Sequence, residues 1–249
     1  MSGHSKWSSI KHKKAATDAK RGQLFTKLAR EVAMAAREGG GDPDMNSRLR
    51  LAIQRAKDSN MPNDNIDRAV QRGAGGGGGE ALSEITYEGY GPGGTAVLVE
   101  AVTDNKNRTV AEVRNVFTRP GGNLAEAGAV AWQFETRGVI AVDAEPQDVD
   151  EVQLAAIEAG ALDVSADDDV VEVITERETL EAVRRALDGG GIAVERAELA
   201  QLPKNVIELD ESTAIQALRL LERLDELDDV ARGFSNADFP EEALAALAG

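Results

Sequence analysis

Leu24, Leu28 and Val32 recur every four residues, and Phe25, Ala29, Ala35 and Ala36 widen the same stripe. That period predicts an amphipathic helix over residues 18–37 with one face turned to a core. Lys20, Lys27, Arg30 and Arg37 fall together on a different face, so the apolar and cationic sides separate. Gly39-Gly40-Gly41-Asp42-Pro43 ends this helix and turns the chain. A second helix fits 46–59, with Leu49, Ile53 and Ala56 inward and Arg48, Arg55 and Lys57 outward, until Asn60-Met61-Pro62 breaks it. A short third helix follows from Asn63 as N-cap, with Ile66, Ala69 and Val70 on its apolar side and Gly73 at the position after its end. Residues 18–73 thus read as a small three-helix domain.

Beyond five consecutive glycines, 75–79, the period changes. The glycine run reads as a linker. A phosphate-cradling loop would need a preceding strand and a following Gly-Lys-Ser/Thr, and neither is there. Strands are predicted at 85–89 and 95–103, joined by the turn-rich Tyr90-Gly91-Pro92-Gly93-Gly94, then a helix at 109–118 and a strand at 129–134. From Gly138 strands at 139–142, 170–174 and 192–199 alternate with helices at 149–159 and 180–187. A strand at 206–209, a helix at 213–224 and a strand at 230–234 close the chain. The expected fold class is α+β: an N-terminal three-helix domain followed by two ferredoxin-like α/β domains, each with its sheet covered on one face.

Charge changes this picture by dividing it. The 249 residues carry a net −16, but residues 1–72 hold 15 Lys/Arg against 8 Asp/Glu, a net of +7. The remainder is at −23, and residues 135–203 alone place 18 acids against 5 Arg. Eight Lys/Arg and one acid, Asp18, lie within residues 1–30. Such asymmetry points to an anionic partner met by one part of the molecule, with the acidic middle domain as a solubilising surface. Cysteine is absent, which excludes disulfides, thiolate metal sites and Cys nucleophiles. No apolar run reaches the ~18–20 residues of a membrane helix, and the start lacks the apolar core of a signal peptide, so a cytoplasmic protein is expected.

Catalysis finds little to stand on. The two histidines, His4 and His12, both lie in the basic start, and no Gly-x-Ser-x-Gly is present. Asp167-Asp168-Asp169 lacks calcium-loop spacing and its glycine, and reads as a solvated turn. No catalytic residue, metal, cofactor or small-molecule substrate is therefore expected. The segment from His4 to Lys14 is more informative, since Lys6, Lys11, Lys13 and Lys14 surround a single aromatic, Trp7. Lysines attract phosphates through counterion release, Trp7 offers a face for an unstacked base, and histidines donate or stack. Anchoring of the segment by Trp7 is the alternative. The second and third helices, joined by a tight turn, also suit a helix-turn-helix. Its recognition helix would open with Asp64 and Asp67, which repel phosphates, so base reading there is weak.

Several longer strings then converge. Gly3-His4-Ser5-Lys6-Trp7 with Lys11-His12-Lys13-Lys14, Asp18-Ala19-Lys20-Arg21 and Phe25-Thr26-Lys27-Leu28 resemble the start of the YebC/PmpR family. Arg48-Leu49-Arg50-Leu51-Ala52-Ile53, Asn60-Met61-Pro62, Tyr87 to Gly94, Thr103 to Thr109 and Gly121-Gly122-Asn123-Leu124 extend the resemblance end to end. It implies three domains, the third inserted in the second: 1–80, then 81–134 with 204–249, then 135–203. It further implies a non-enzymatic, nucleic-acid-binding regulator of gene expression of the transcriptional-regulator type. The alternative is a ribosome-associated, rRNA-contacting translation factor that assists synthesis through proline-rich stretches, as the mitochondrial translational activators of the family suggest. The expected nucleic-acid contacts are Lys6, Trp7, Lys11, His12, Lys13, Lys14, Lys20, Arg21, Lys27 and Arg30. Arg48, Arg55, Lys57, Tyr90, Asn105 and Arg108 form a second candidate set.

Overall fold

The protein is described by a computed structural model over residues 18–75, 82–145, 147–167 and 170–248. In chain order its helices and strands begin with α1 (Asp18–Gly39), α2 (Ser47–Asp58), α3 (Asn63–Ala74), β1 (Ser83–Tyr90), β2 (Ala96–Thr103), α4 (Lys106–Thr118) and β3 (Asn123–Leu124). There follow β4 (Phe134–Asp143), α5 (Val149–Glu158), β5 (Asp163–Asp167), β6 (Val170–Thr175), α6 (Leu180–Gly189) and β7 (Val194–Pro203). The last are β8 (Ile207–Glu208), α7 (Glu211–Asp225), β9 (Val230–Ser235), β10 (Ala237–Asp238) and α8 (Glu241–Ala248).

The three helices pack around Leu28, Val32, Leu49, Ala56, Ile66 and Ala69, the stripes their periodicity predicts, and Met61 joins them from the turn between α2 and α3. Asn46 knots α1 to α2. Its side-chain oxygen accepts the Leu49 N–H at 3.0 Å, while its amide donates to the Ala35 and Gly40 carbonyls at 2.8 Å. Gly73 has a different part from the one expected. The helix runs on through Ala74, and a Cβ at position 73 would stand 2.1 Å from the Ala33 carbonyl oxygen. It is a glycine of close helix approach, not of helix termination. Nor does Asn63 cap α3: Pro62 holds that position, and no side chain caps the helix.

β1 and β2 form a hairpin, β3 adds to β1 and β9 to β2, giving an antiparallel sheet of order β3-β1-β2-β9. α4 and α7 cover one face, burying Val97 and Val99 of β2 with Val113, Phe117, Leu218, Leu221 and Leu224. α1 packs against β2 and β9, and β2 is nearly continuous in its burial from Ala96 to Thr103. A strand covered on both faces cannot alternate in polarity, which is why Ala96-Val97-Leu98-Val99 reads as an unbroken apolar run. The chain end adds α8, which the sequence reading omitted; Ala243 and Leu244 join the same core.

Glu135–Leu202 forms a compact unit of its own, and the chain before and after it forms the other. Within the first, the order of elements is β4-α5-β5-β6-α6-β7 and the sheet order β5-β6-β4-β7, the split βαβ arrangement of a ferredoxin-like fold. Val152, Ala156, Leu180, Val183 and Leu187 of its helices are buried. β5, with its Asp-rich sequence, was not anticipated. The other sheet keeps the four strands and two covering helices, but a tight turn between β1 and β2 replaces the crossover helix and makes them direct neighbours.

Residues 129–133, expected to be strand, form a loop ending in a short 3-10 turn at Ala131–Gln133; the strand begins at Phe134. The cause is an acceptor buried beneath them, described below.

Candidate nucleic-acid interface

Lys6, Trp7, Lys11, His12, Lys13, Lys14 and the side chain of Lys20 lie outside the described residues, as does the run Gly76–Gly79. Arg21 is exposed near the start of α1. One turn further, the cationic face of this helix meets the α7–β9 turn. Gln23 donates to the Glu226 carbonyl at 2.6 Å and to the Asp228 carboxylate at 3.0 Å, and Lys27 donates to the Asp225 carbonyl. Arg30 donates to the Asp228 carbonyl at 2.7 Å and to the Asp229 carboxylate at 2.8 Å. Arg37 continues the row, donating to the Leu82 carbonyl at 2.9 Å. The helical segment is thereby fastened along its basic side to its own chain.

Asp229 is the centre of that fastening and is only 2% exposed. Its second oxygen accepts from Arg108 at 2.7 Å, Thr109 at 2.8 Å and Thr103 at 3.0 Å. Burial pushes its pKa up, but the hydrogen bonds from Arg108, Thr109 and Thr103 outweigh this and hold it below the usual carboxylate range. Asn105 caps α4 by accepting the Arg108 N–H at 3.1 Å, and its own N–H donates to Thr103 at 2.8 Å. Thus the string Thr103 to Thr109 closes a turn and supplies ligands to a buried carboxylate. Arg108 also pairs with Asp104 at 2.8 Å and keeps almost half of its side chain exposed.

Arg48 and Arg55 of the second set are likewise engaged. Arg48 reaches Glu38 and, at 2.8 Å, Glu84. Arg55 forks onto both oxygens of Glu31 at 2.8 and 2.7 Å, with both side chains mostly buried. Lys57 is exposed near the end of α2.

The Tyr87-to-Gly94 string does two things. It turns the β1–β2 hairpin, and through Glu88 it shapes a distant loop. The Glu88 carboxylate is 6% exposed and accepts the backbone N–H of Gly128 at 2.6 Å, Val130 at 2.7 Å and Ala131 at 2.8 Å. Burial raises its pKa, the three backbone donors lower it, and the net direction is down. Gly128 sits at φ 87°, a conformation that lets the loop curl over the acceptor. These donors are unavailable to a strand ladder, which accounts for the loop at 129–133. At its tip the Tyr90 hydroxyl, at 3.2 Å, and the Trp132 indole N–H, at 3.1 Å, both donate to the Ala129 carbonyl. Trp132 is 66% exposed.

Sequence reasoning missed Glu88, Asp229 and Trp132. Asp229 is 121 residues from Arg108, so nothing local marks the pairing. Trp132 looked like an ordinary strand residue. Among the described residues no group of three or more His or acidic side chains could hold a metal ion, and no helix is long and apolar enough to cross a membrane.

A helical segment joined by its cationic side to an α+β body, with a second α+β domain inserted in that body, defines the class: a multidomain α+β protein. Its sequence matches the TACO1/YebC protein N-terminal domain over residues 5–76 and the TACO1/YebC second and third domain over 82–237. The chain belongs to the TACO1/YebC family. Proteins called "Probable transcriptional regulatory protein" are 54% identical in Dehalococcoides mccartyi strain 195, over 98% of this chain and 97% of that one, and 55% identical in Desulfosudis oleivorans, over 97% and 98%. The crystal structure of a conserved hypothetical protein from Aquifex aeolicus, 46% identical, superposes with a TM-score of 0.85 over 91% of this chain and 94% of its own.

Proposed function

We propose that the protein is a non-enzymatic regulator of gene expression, cytoplasmic, that binds nucleic acid through its N-terminal segment and acts in transcription. The observation that carries this reading is the segregation of charge: eight Lys/Arg with one acid in residues 1–30, on a chain whose last 177 residues stand at −23. The names of the relatives support the transcriptional part. The engagement of Lys27, Arg30, Arg48, Arg55 and Arg108 with groups of the same chain concentrates the proposed contact on Lys6, Trp7, Lys11, His12, Lys13, Lys14 and Lys20. The proposed organisation is a nucleic-acid-binding domain over 1–80, a body over 81–134 with 204–249, and an acidic domain over 135–203.

A second reading, contact with ribosomal RNA in support of translation, is favoured by the same imbalance. A strongly acidic body is repelled along the length of a duplex, whereas a single basic segment can enter a folded RNA surface. Crosslinking in cells followed by sequencing of the bound nucleic acid separates the two. Promoter DNA supports the transcriptional reading and rRNA the ribosomal one; recovery of neither sinks both.

A further inference from the structure

The loop carrying Trp132 is held to a degree its surface position does not require. Below it, Glu88 receives three backbone N–H groups and Val130 is fully buried. On one side the Lys204 ammonium donates to the Trp132 carbonyl at 2.9 Å, and the Lys204 N–H donates to the Gln133 carbonyl at 2.8 Å. Behind, the Gln133 side chain accepts from Asn236 at 3.1 Å, and Asn236 in turn accepts the Ala96 N–H at 2.7 Å inside the sheet. The indole's one polar atom is already tied to Ala129. What remains is a rigid, flat, apolar face held out in water, with Tyr90 on the same carbonyl and a lysine beside it.

From this geometry we infer that Trp132 is a stacking platform for an unpaired nucleobase. The inference rests on the nucleic-acid reading above and adds to it a contact on the α+β body, remote in sequence from the basic segment. An indole with no hydrogen-bonding capacity left over offers its π-face to any base, independent of base identity. Preorganisation matters here because the aromatic loses little freedom on binding. Lys204 supplies a cation for the adjoining phosphate, and Tyr90 flanks the stack. DNA and RNA single strands share this chemistry.

The test uses the full chain with fluorescein-labelled oligo(U) and, in a parallel arm, oligo(dT). Trp132→Ala weakens binding of the favoured strand by about 5- to 150-fold, and its melting temperature stays near that of the parent because so little of the side chain is buried. Trp132→Phe restores most of the affinity. Indole emission of the parent falls on adding the oligonucleotide, and Trp132→Phe, which leaves Trp7 as the remaining indole, loses a large part of that quench. Equal affinity of parent and Trp132→Ala, with no quench assigned to Trp132, overturns the platform while leaving the basic segment in place. That result would turn attention to a protein partner. No binding of either strand by the parent overturns the nucleic-acid reading itself.

Discussion

Glu88 and Asp229 are single carboxylates on which whole segments depend. Each is buried, each has its pKa lowered below the usual range, and each accepts several hydrogen bonds. For a lowered folded-state pKa, the stabilising contribution is complete above the unfolded value, about 4 for Asp and Glu. It fades as pH falls through the folded value. Glu88→Gln sets an amide against three backbone donors, and should cost about 1–3 kcal/mol at neutral pH. Urea titrations at pH 7 and near pH 3 check this: the gap between variant and parent narrows at the lower pH, and an unchanged gap refutes the assignment. At this scale the sequence was least legible. The family strings identified Tyr87 to Gly94 and Thr103 to Thr109 as special, yet the reason lies in partners some 40 and 120 positions away. Asn105 and Arg108 carry nucleic-acid-like chemistry in isolation. In the fold, the Asn105 side-chain oxygen caps α4 and the Arg108 guanidinium is shared between Asp104 and Asp229.

Helices and strands were much more legible, because each is governed by neighbours three, four or two positions away. The stripes of α1, α2 and α3 fall where 3.6-residue periodicity puts them, and the β2 run is recovered nearly to the residue. The exceptions are physical. The 129–133 stretch lost its strand to the Glu88 acceptor, and α8 is too short and too uniformly apolar to show a face. The cationic side of α1 was recognised, but its neighbour was not, since helix periodicity says which residues share a face and nothing of what lies opposite. This yields a test that sorts the basic residues. Arg30→Ala removes one of the partners of buried Asp229 and should cost about 1–3 kcal/mol of stability, with the salt dependence of nucleic-acid affinity unaltered. Combined replacement of Lys11, Lys13 and Lys14 by Ala should instead lower the log–log salt slope by about 2–3. Thermal melts and binding isotherms over a salt series distinguish the groups. A change of slope in Arg30→Ala would return that arginine to the interface.

For the molecule as a whole, the inserted domain enters and leaves through a single seam. The Lys204 N–H bonds to the Gln133 carbonyl, and β4 and β7 continue as neighbours in the inserted sheet. Replacing Glu135–Leu202 by a short Gly/Ser linker should therefore preserve a cooperative melt of the remainder, read by circular dichroism. The same deletion takes 18 acids and 5 arginines with it, moving the net charge from −16 to −3. Nonspecific affinity for duplex DNA should rise at low salt, and failure of the shortened protein to fold would contradict the seam. The repeated element pattern and the change of charge marked an acidic middle domain, the family resemblance implied that it is inserted, and the adjacency of its two ends was not legible. That seam has a consequence for synthesis. β2 waits for β9 as its outer neighbour, and the core beneath it waits for the leucines of α7. Both are made after the 68 residues of the insertion, which at about 5–20 residues per second takes about 3–14 s. The inserted domain, contiguous in sequence, can complete its own fold first, while the nascent hairpin and α4 keep their apolar faces uncovered. A slow step of translation placed after residue 202 would lengthen that exposure, and one placed within the insertion would lengthen it as well while β4 still lacked its neighbour β7. The body thus depends for its safety on the pace of the ribosome over everything made after residue 134.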